Sequence, residues 1–405
     1  MRVLISGAGI AGLSLALRLQ QRGLVPVLLE RSPRLRDGGY TLGLADPGYD
    51  AAERMGIAEP LRAAHHIPTR LAYLDGEGRE RLAIGRRTLD HYIGRRRLTL
   101  MRGDIERVLY ERVRVSSEVR FGASIASLMA APDGVRAVLE DGTAMECDLA
   151  VGADGLHSRV RALHFGPEER FLRPLGARVA AFLLDRTEHP LIEPDASHSV
   201  TEIGRVAALA DAGRGRLVAF FIYRAAWPRL ASIEAELRRA FAGAGWLVPT
   251  LLDLLPHADA VYADEVAQIV MPRWREERTV LIGDAAHAVS LVAGKGATLA
   301  MAGGCFLADA LADQPDDAGA AAARYEAWIR PMVEAAQQMA RRNLFLFAPT
   351  NRAQLLLREA ALRLAAVPFL APVAKRLLNR EGERLPRLSS NKRRMIVSST
   401  HCNPD

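Results

Sequence analysis

Three stretches of this chain place glycine and aspartate where chemistry can use them. The first is Gly7-x-Gly9-x-x-Gly12, set between an apolar run (residues 2–6) and a helical pattern (residues 12–22). Its glycines suit a tight turn, a close approach of backbone to a pyrophosphate, and close helix–strand packing. The helix that follows offers free N–H groups and a partial positive charge to phosphates. The second is Asp148-Leu-Ala-Val-Gly-Ala-Asp154-Gly155-Leu-His-Ser158-Arg159-Val-Arg161. The third is Leu281-Ile-Gly283-Asp284-Ala-Ala-His287, continuing through Gly294-Lys-Gly296-Ala-Thr298. The second and third each read as a buried strand delivering Asp-Gly or Gly-Asp at its C-terminal end, where ligands of open α/β sheets sit. Asp284 can accept hydrogen bonds from a polyol, and the Gly294–Gly296 loop precedes a helix whose N-terminus favours an anion.

Positioning these loops requires a βαβ opening. Residues 2–6 and 25–30 read as parallel strands around the first helix, and Glu30 ends the second strand 18 residues after Gly12. That is close to the separation expected of an acid gripping ribose hydroxyls, and a carboxylate there repels a 2′-phosphate. The resident nucleotide is therefore expected to be FAD or NAD rather than NADP, with Arg31 beside the ribose acid. A helix is expected over 104–115 and short antiparallel strands over 117–152, with Asp-Gly turns at 133–134 and 141–142. Strand-like runs at 179–184, 205–209 and 217–223 and a helix near 232–244 suggest an inserted sheet-plus-helix unit. A buried strand returns at 279–282, followed by a helix at 296–312 and further helices to about 378.

The expected fold class is thus α/β: a Rossmann-like, discontinuous dinucleotide-binding domain (1–165 and 277–350), an inserted β-sheet-plus-helix substrate domain (166–276), and C-terminal helices with a frayed tail (351–405). Composition agrees: 405 residues, 49% apolar and 25% charged, are those of a globular chain of two or three domains. The net charge of +7 is spread along the chain rather than gathered into a stripe with aromatics, which argues against nucleic acid and suits an anionic cofactor. Three separated cysteines (Cys147, Cys305, Cys402), with no zinc spacing, fit a reducing cytoplasm and no metal site. No apolar run is long enough to span a bilayer, so no stable membrane insertion is expected. The apolar residues of the C-terminal helices, Leu355, Leu356, Leu357, Leu364 and Phe369, are expected to pack over the substrate domain or in a homodimer rather than touch a membrane; monomer and homodimer both stay open.

The three motifs, in this order, resemble those of the FAD-dependent aromatic hydroxylases with the para-hydroxybenzoate hydroxylase fold. The resemblance spans roughly residues 1–350. It implies that Gly7, Gly9, Gly12 and Glu30 bind the ADP half of FAD. It implies that Asp154, Gly155 and Arg159 touch FAD and the passing NAD(P)H, and that Gly283 and Asp284 hold the ribityl and pyrophosphate. Gly294, Gly296 and Thr298 belong to the flavin-side loop. Arg102, at the start of a helix in Met101-Arg102-Gly-Asp104-Ile105, becomes a further cofactor-binding candidate. Gly38-Gly39-Tyr40 followed by Pro47-Gly48-Tyr49 resembles the tetracycline- and polyketide-modifying subgroup, which suggests antibiotic tailoring or inactivation. Leu291 stands where many relatives carry Pro, and Thr298 where several carry Asn.

What the resemblance implies is a monooxygenase. NADPH or NADH reduces FAD, O₂ is captured, and a C4a-hydroperoxide hydroxylates or epoxidises a small aromatic or polycyclic substrate. The flavin carries the chemistry, so no catalytic side chain is required. Weak acid/base candidates are His65, His66 and Tyr49, while His287 is expected to order its loop and Tyr40 to pack at a core or rim. No G-x-S-x-G, H-E-x-x-H or P-loop is present, and the Trp-x-Trp-x-x-Pro signature of flavin halogenases is absent. Two alternatives remain: an NAD-dependent dehydrogenase, which explains only Gly7 to Glu30, and a non-catalytic flavin-binding protein.

Overall fold

The computed structural model describes residues 1–367 apart from 36–37, 94–95, 132–133, 225–229 and 259–260. Arg95, part of the turn expected at 133–134, and everything from 368 on, including Phe369, Cys402 and the basic cluster at 392–394, lie outside the described residues.

β1 (Arg2–Ser6) and β2 (Val25–Glu30) are buried along almost their whole length, as central strands covered on both faces must be. α1 (Ile10–Gln21) joins them, starting at Gly9 and turning nine residues into the core. The sheet they nucleate has six strands, in the order Arg275–Glu276, Thr279–Leu281, Leu149–Gly152, β1, β2 and Glu118–Phe121. All neighbours are parallel except the Arg275–Glu276 edge. Register matters here: Ser6 pairs with Gly152, and Gly152 with Leu281, so three strands end level. The loops that follow them, which carry the three motifs, therefore emerge side by side. The expected antiparallel layer is a three-stranded sheet of Ile125–Ala131, Gly134–Leu139 and Ala144–Cys147.

A second, seven-stranded sheet runs Val261–Ile269, Leu172–Asp185, Arg216–Arg224, Arg205–Gly213, Ala196–Glu202, Arg70–Leu74 and Glu80–Gly85. Helices Ile233–Ala240 and Val248–Leu254 cover one face through Phe182, Phe221, Phe241 and Leu251. The opposite face presents Phe220 and Tyr262 to the ring of Tyr40. The expectation that residues 166–276 build this sheet alone needs correction, because residues 70–85 add two strands. Ala196–Val200 pairs in parallel with Arg70–Leu74. Such pairing is set by packing between distant segments, which local strand propensity does not encode.

Helix Gly296–Asp313 packs on α1 so closely that a Cβ on Gly304 would lie 2.7 Å from Ala11 O. Helices Ala318–Asn343 and Arg352–Ala366 follow. Among the described residues no helix is long and apolar enough to cross a membrane.

Packing at Gly12 leaves no room for a side chain, since a Cβ would sit 2.0 Å from Gly7 O, whereas one on Gly85 would meet nothing within 4 Å. Gly12→Ala is expected to cost about 3 kcal/mol in urea unfolding and Gly85→Ala less than about 0.5 kcal/mol.

Candidate dinucleotide and substrate site

The Gly7 turn needs its glycine twice. Its φ is +108°, and a Cβ there would lie 2.4 Å from Ala153 O, on the second motif. Gly283, with φ +60°, sits against the first motif in the same way, since its Cβ would fall 2.8 Å from that of Ala11. All three motifs thus meet at the N-terminus of α1. Gly9 differs: a Cβ would approach nothing closer than Glu106 Oε1 at 3.7 Å and Arg102 Nη2 at 3.8 Å. Packing does not demand glycine at this position, and its bare backbone leaves open the space between α1 and Arg102. Glu30 closes the turn, accepting from Ala8 N at 2.9 Å and Ser32 N at 2.9 Å. Arg31 beside it is exposed.

Asp154 accepts from Ser158 Oγ at 2.5 Å, Arg159 N at 2.8 Å and Val160 N at 3.1 Å, capping the short helix Arg159–His164. Burial pushes its carboxyl above the usual range against those donors. Gly155 has φ +86°, and the Arg159 side chain is exposed. The buried arginine of this motif is Arg161, which bonds Leu156 O at 2.7 Å, Ala285 O at 2.9 Å and Glu168 at 2.9 Å. It staples the second motif to the third. The sequence placed it inside the motif without a role, and the Ser158-x-x-Arg161 spacing was the available signal.

Asp284 is hemmed in by protein yet open to a cleft. The surrounding protein raises its carboxyl, Arg102 lowers it, and Asp264 raises it further. Arg102 starts helix Arg102–Val113, donates Nε to Glu106 at 3.0 Å and donates its backbone N to Tyr40 O at 3.2 Å. Its guanidinium is held strongly protonated, chiefly by Glu106 and also by Tyr40 and Asp284. The cleft is lined by Tyr40, Leu42, Tyr262, Asp284, Ser290 and Leu291, with Gly294 and Gly296 at its loop side. Burial raises the phenols of Tyr40 and Tyr262, so both stay protonated donors at neutral pH. Thr298 serves the frame: its Oγ1 accepts from Ala45 N at 3.1 Å, tying the helix to strand Thr41–Leu44.

The three acid/base candidates lie outside this cleft. Tyr49 is buried under the guanidinium of Arg96, 4.5 Å from its ring centroid, and its hydroxyl accepts from Arg62 Nε at 2.7 Å. His65 Nδ1 accepts from Thr99 N at 2.8 Å. His66 Nε2 lies 3.6 Å from Asp195 and 3.7 Å from Asp211. Asp211 in turn pairs with Arg186 at 3.2 Å and accepts from Gly213 N at 2.8 Å. His157, which the sequence reading did not single out, bridges Glu168 at 3.0 Å and Asp264 at 3.1 Å, and those partners raise it to about 9. It links the second motif to the Val261–Ile269 strand. Cys305 is buried and pushed up to about 12, an inert thiol.

These residues fit FAD. Gly9 leaves backbone bare at a helix N-terminus, Asp284 and Glu30 supply acceptors for hydroxyls, and the cleft holds an unpartnered hydroxyl on Ser290.

His287 shows how the third loop is held. It is buried, its Nε2 lies 3.0 Å from Tyr325 Oη, and burial lowers its pKa to about 4. Between about pH 6.5 and 4 the unfolded chain takes up a proton that His287 in the fold refuses. Its stabilisation is therefore complete above 6.5 and lost as the pH falls toward 4, by about 3 kcal/mol in total. Urea melts at pH 7 and 4.5 are expected to show that loss, and His287→Gln to reduce it.

Comparison with known proteins agrees with this geometry. A family model described as FAD binding domain matches residues 1–171 and 253–340. An uncharacterized protein of Mycobacterium tuberculosis is 33% identical over 349 residues, covering 84% of this chain and 93% of that protein. A flavin-dependent monooxygenase from an unknown prokaryotic organism is 30% identical over 348 residues, covering 83% and 87%. The tetracycline destructase Tet(55) superposes with a TM-score of 0.78 at 26% identity, covering 95% of this chain and 98% of that one. Klebsiella pneumoniae HpxO, complexed with FAD and uric acid, gives 0.75 at 25% identity, covering 93% and 97%. Three glycine-tied loops meeting at one helix N-terminus, with this family match over most of the same residues, make the chain a member of the flavin-dependent monooxygenases that carry the FAD binding domain.

Proposed function

We propose that this enzyme takes reduced nicotinamide dinucleotide and O₂ and hydroxylates or epoxidises a small aromatic or polycyclic compound in the cytoplasm. For hydroxylation the balance is substrate C–H, O₂, NAD(P)H and a proton giving C–OH, water and NAD(P)⁺. The observation that carries the reading is the meeting of the three motif loops at the N-terminus of α1, with the second and third also lining a cleft whose far wall belongs to the second sheet.

The chemistry that bound FAD supplies is hydride acceptance from the nicotinamide and transfer of one oxygen atom to the ring. The protein binds, orients and excludes water. Gly7, Gly9 and Gly12 with the N-terminus of α1 take the pyrophosphate, and Glu30, with Arg31 beside it, the ribose. Arg102 and Asp284 serve the phosphate–ribityl stretch, with Asp154, Gly155 and Arg159 along the path of the nicotinamide. Gly294 and Gly296 give the flavin side of the cleft its open backbone. Leu42, Leu156, Val289 and Leu291 keep the cleft dry. Tyr40, Tyr262 and Phe220 offer aromatic faces, with ring centroids 5.2 Å apart for Tyr40–Tyr262 and 6.0 Å for Tyr40–Phe220. The protonated phenols of Tyr40 and Tyr262 suit a substrate bearing carbonyl or hydroxyl oxygens. HpxO was captured with uric acid, and Tet(55) is a tetracycline destructase; both names concern ring compounds rich in such oxygens. NADPH is preferred over NADH by analogy with the hydroxylase family, with the basic balance of the chain as minor support.

Oxygen uptake by the FAD-loaded protein tests this reading, with NADPH or NADH against aromatic polyketides, tetracyclines and simple phenols and with peroxide measured in parallel. A ring compound that accelerates NADPH and O₂ consumption about tenfold or more, with peroxide well below O₂ consumed, is the expected result. NAD(P)H oxidation without O₂ uptake would favour a dehydrogenase.

A further inference from the structure

Ser290 is the one residue in the cleft wall that combines a strained backbone with an uncommitted side chain. Its φ is +77° and its ψ +144°, a region that residues with a Cβ rarely occupy. It stands at the N-cap of the Leu291–Ala293 turn, where a serine hydroxyl ordinarily accepts from the turn's N–H groups; here it makes no such bond. Its Oγ is fully buried and has no hydrogen-bond partner, and the residue is 8% exposed.

Both flanks hold it there. Ala288 O accepts from Ile269 N at 3.1 Å and from Gln337 Nε2 at 3.1 Å, and Val289 O accepts from Gln268 Nε2 at 3.3 Å. On the other side, Ala293 N donates to Ser290 O at 3.1 Å and Gly294 N to Leu291 O at 3.0 Å. Strain of this kind persists where the surroundings over-determine it, and it gathers at ligand-binding sites. A buried hydroxyl without a partner carries a desolvation cost that a ligand acceptor would remove.

We propose that Ser290 Oγ is a cofactor-contacting residue: with a turn about its Cα–Cβ bond into the cleft that the residue lines, its hydroxyl donates a hydrogen bond to a carbonyl oxygen or unprotonated nitrogen of the flavin ring. This rests on the FAD reading above and goes beyond it by naming a donor that the glycine and aspartate motifs do not contain. A donor at such an atom stabilises the electron-rich reduced ring more than the oxidised ring, so the hydroxyl raises the potential at which the cofactor accepts hydride.

The test compares full-length wild type with Ser290→Ala, which removes the hydroxyl and keeps the strain, and Ser290→Gly, which removes both. Three quantities are read: FAD affinity, the visible spectrum of the bound flavin, and its midpoint potential. Both variants are expected to lose about three- to tenfold in FAD affinity, with a displaced flavin band and a lower potential. In the flavin-free state Ser290→Gly is expected to melt above Ser290→Ala, because glycine tolerates the backbone. Wild-type affinity, spectrum and potential in Ser290→Ala would overturn the proposal. So would a defect in Ser290→Ala that Ser290→Gly repairs, since it would trace to the backbone rather than the hydroxyl. A wild-type protein that takes up no FAD is a separate outcome: it defeats the flavin reading itself and this contact with it.

Discussion

The constraint on which this molecule depends is steric: three loops approach the first turn of α1 more closely than a Cβ allows. Gly12 lies against Gly7 O, Gly7 against Ala153 O, and Gly283 against the Ala11 methyl. The parallel register of three adjacent strands brings the loops to the same height, and the glycines then let them close on one point. Free N–H groups of a helix terminus, a bare backbone at Gly9 and two carboxylates end up around a common space. Everything else in the chain sets walls around that space.

Charge is arranged to match. The protein carries net +7, yet around the cleft Arg102 is balanced by Glu106, Asp284 lines the wall, and Asp264 is near enough to raise its carboxyl. Arg161, fully buried, gives Nη1 and Nη2 to two carbonyls and Glu168; its work is to hold the second and third loops together. His157 performs a similar task toward the second sheet through Asp264, and that tie is strong below about pH 6.5 and lost as the pH rises past 9. The second sheet then offers aromatic rings rather than charges, which suits a ring compound held between Tyr40 and Tyr262.

Much of this was legible in the sequence, for a physical reason. Glycine turns, strand-end aspartates and the acid after β2 are local devices whose spacing is fixed by backbone geometry, so Gly7 to Glu30, Asp154 and Gly283–Asp284 could be read directly. The helices at Arg102–Val113 and Gly296–Asp313 fell within two residues of expectation. What could not be read depends on contacts between distant segments. Strands Arg70–Leu74 and Glu80–Gly85 join the second sheet through pairing some 120 residues away in sequence. Tyr49 lies outside the cleft because two arginines from other segments cover it. Within the second motif the exposed Arg159 was named where Arg161 is the buried staple. The strain at Ser290 is invisible locally, since it is imposed by Gln268, Ile269 and Gln337.

The most direct measurement is an equilibrium FAD titration of the flavin-stripped chain, wild type against Gly9→Ala, with far-ultraviolet circular dichroism as a folding control. The contacts predict one FAD bound per chain in the wild type. For Gly9→Ala they predict native dichroism with affinity lowered about tenfold or more, because the added methyl makes only ordinary van der Waals contacts with Glu106 and Arg102 and enters the space proposed for the pyrophosphate. A wild-type chain that binds no FAD, or a Gly9→Ala chain that binds it as tightly, would contradict the account.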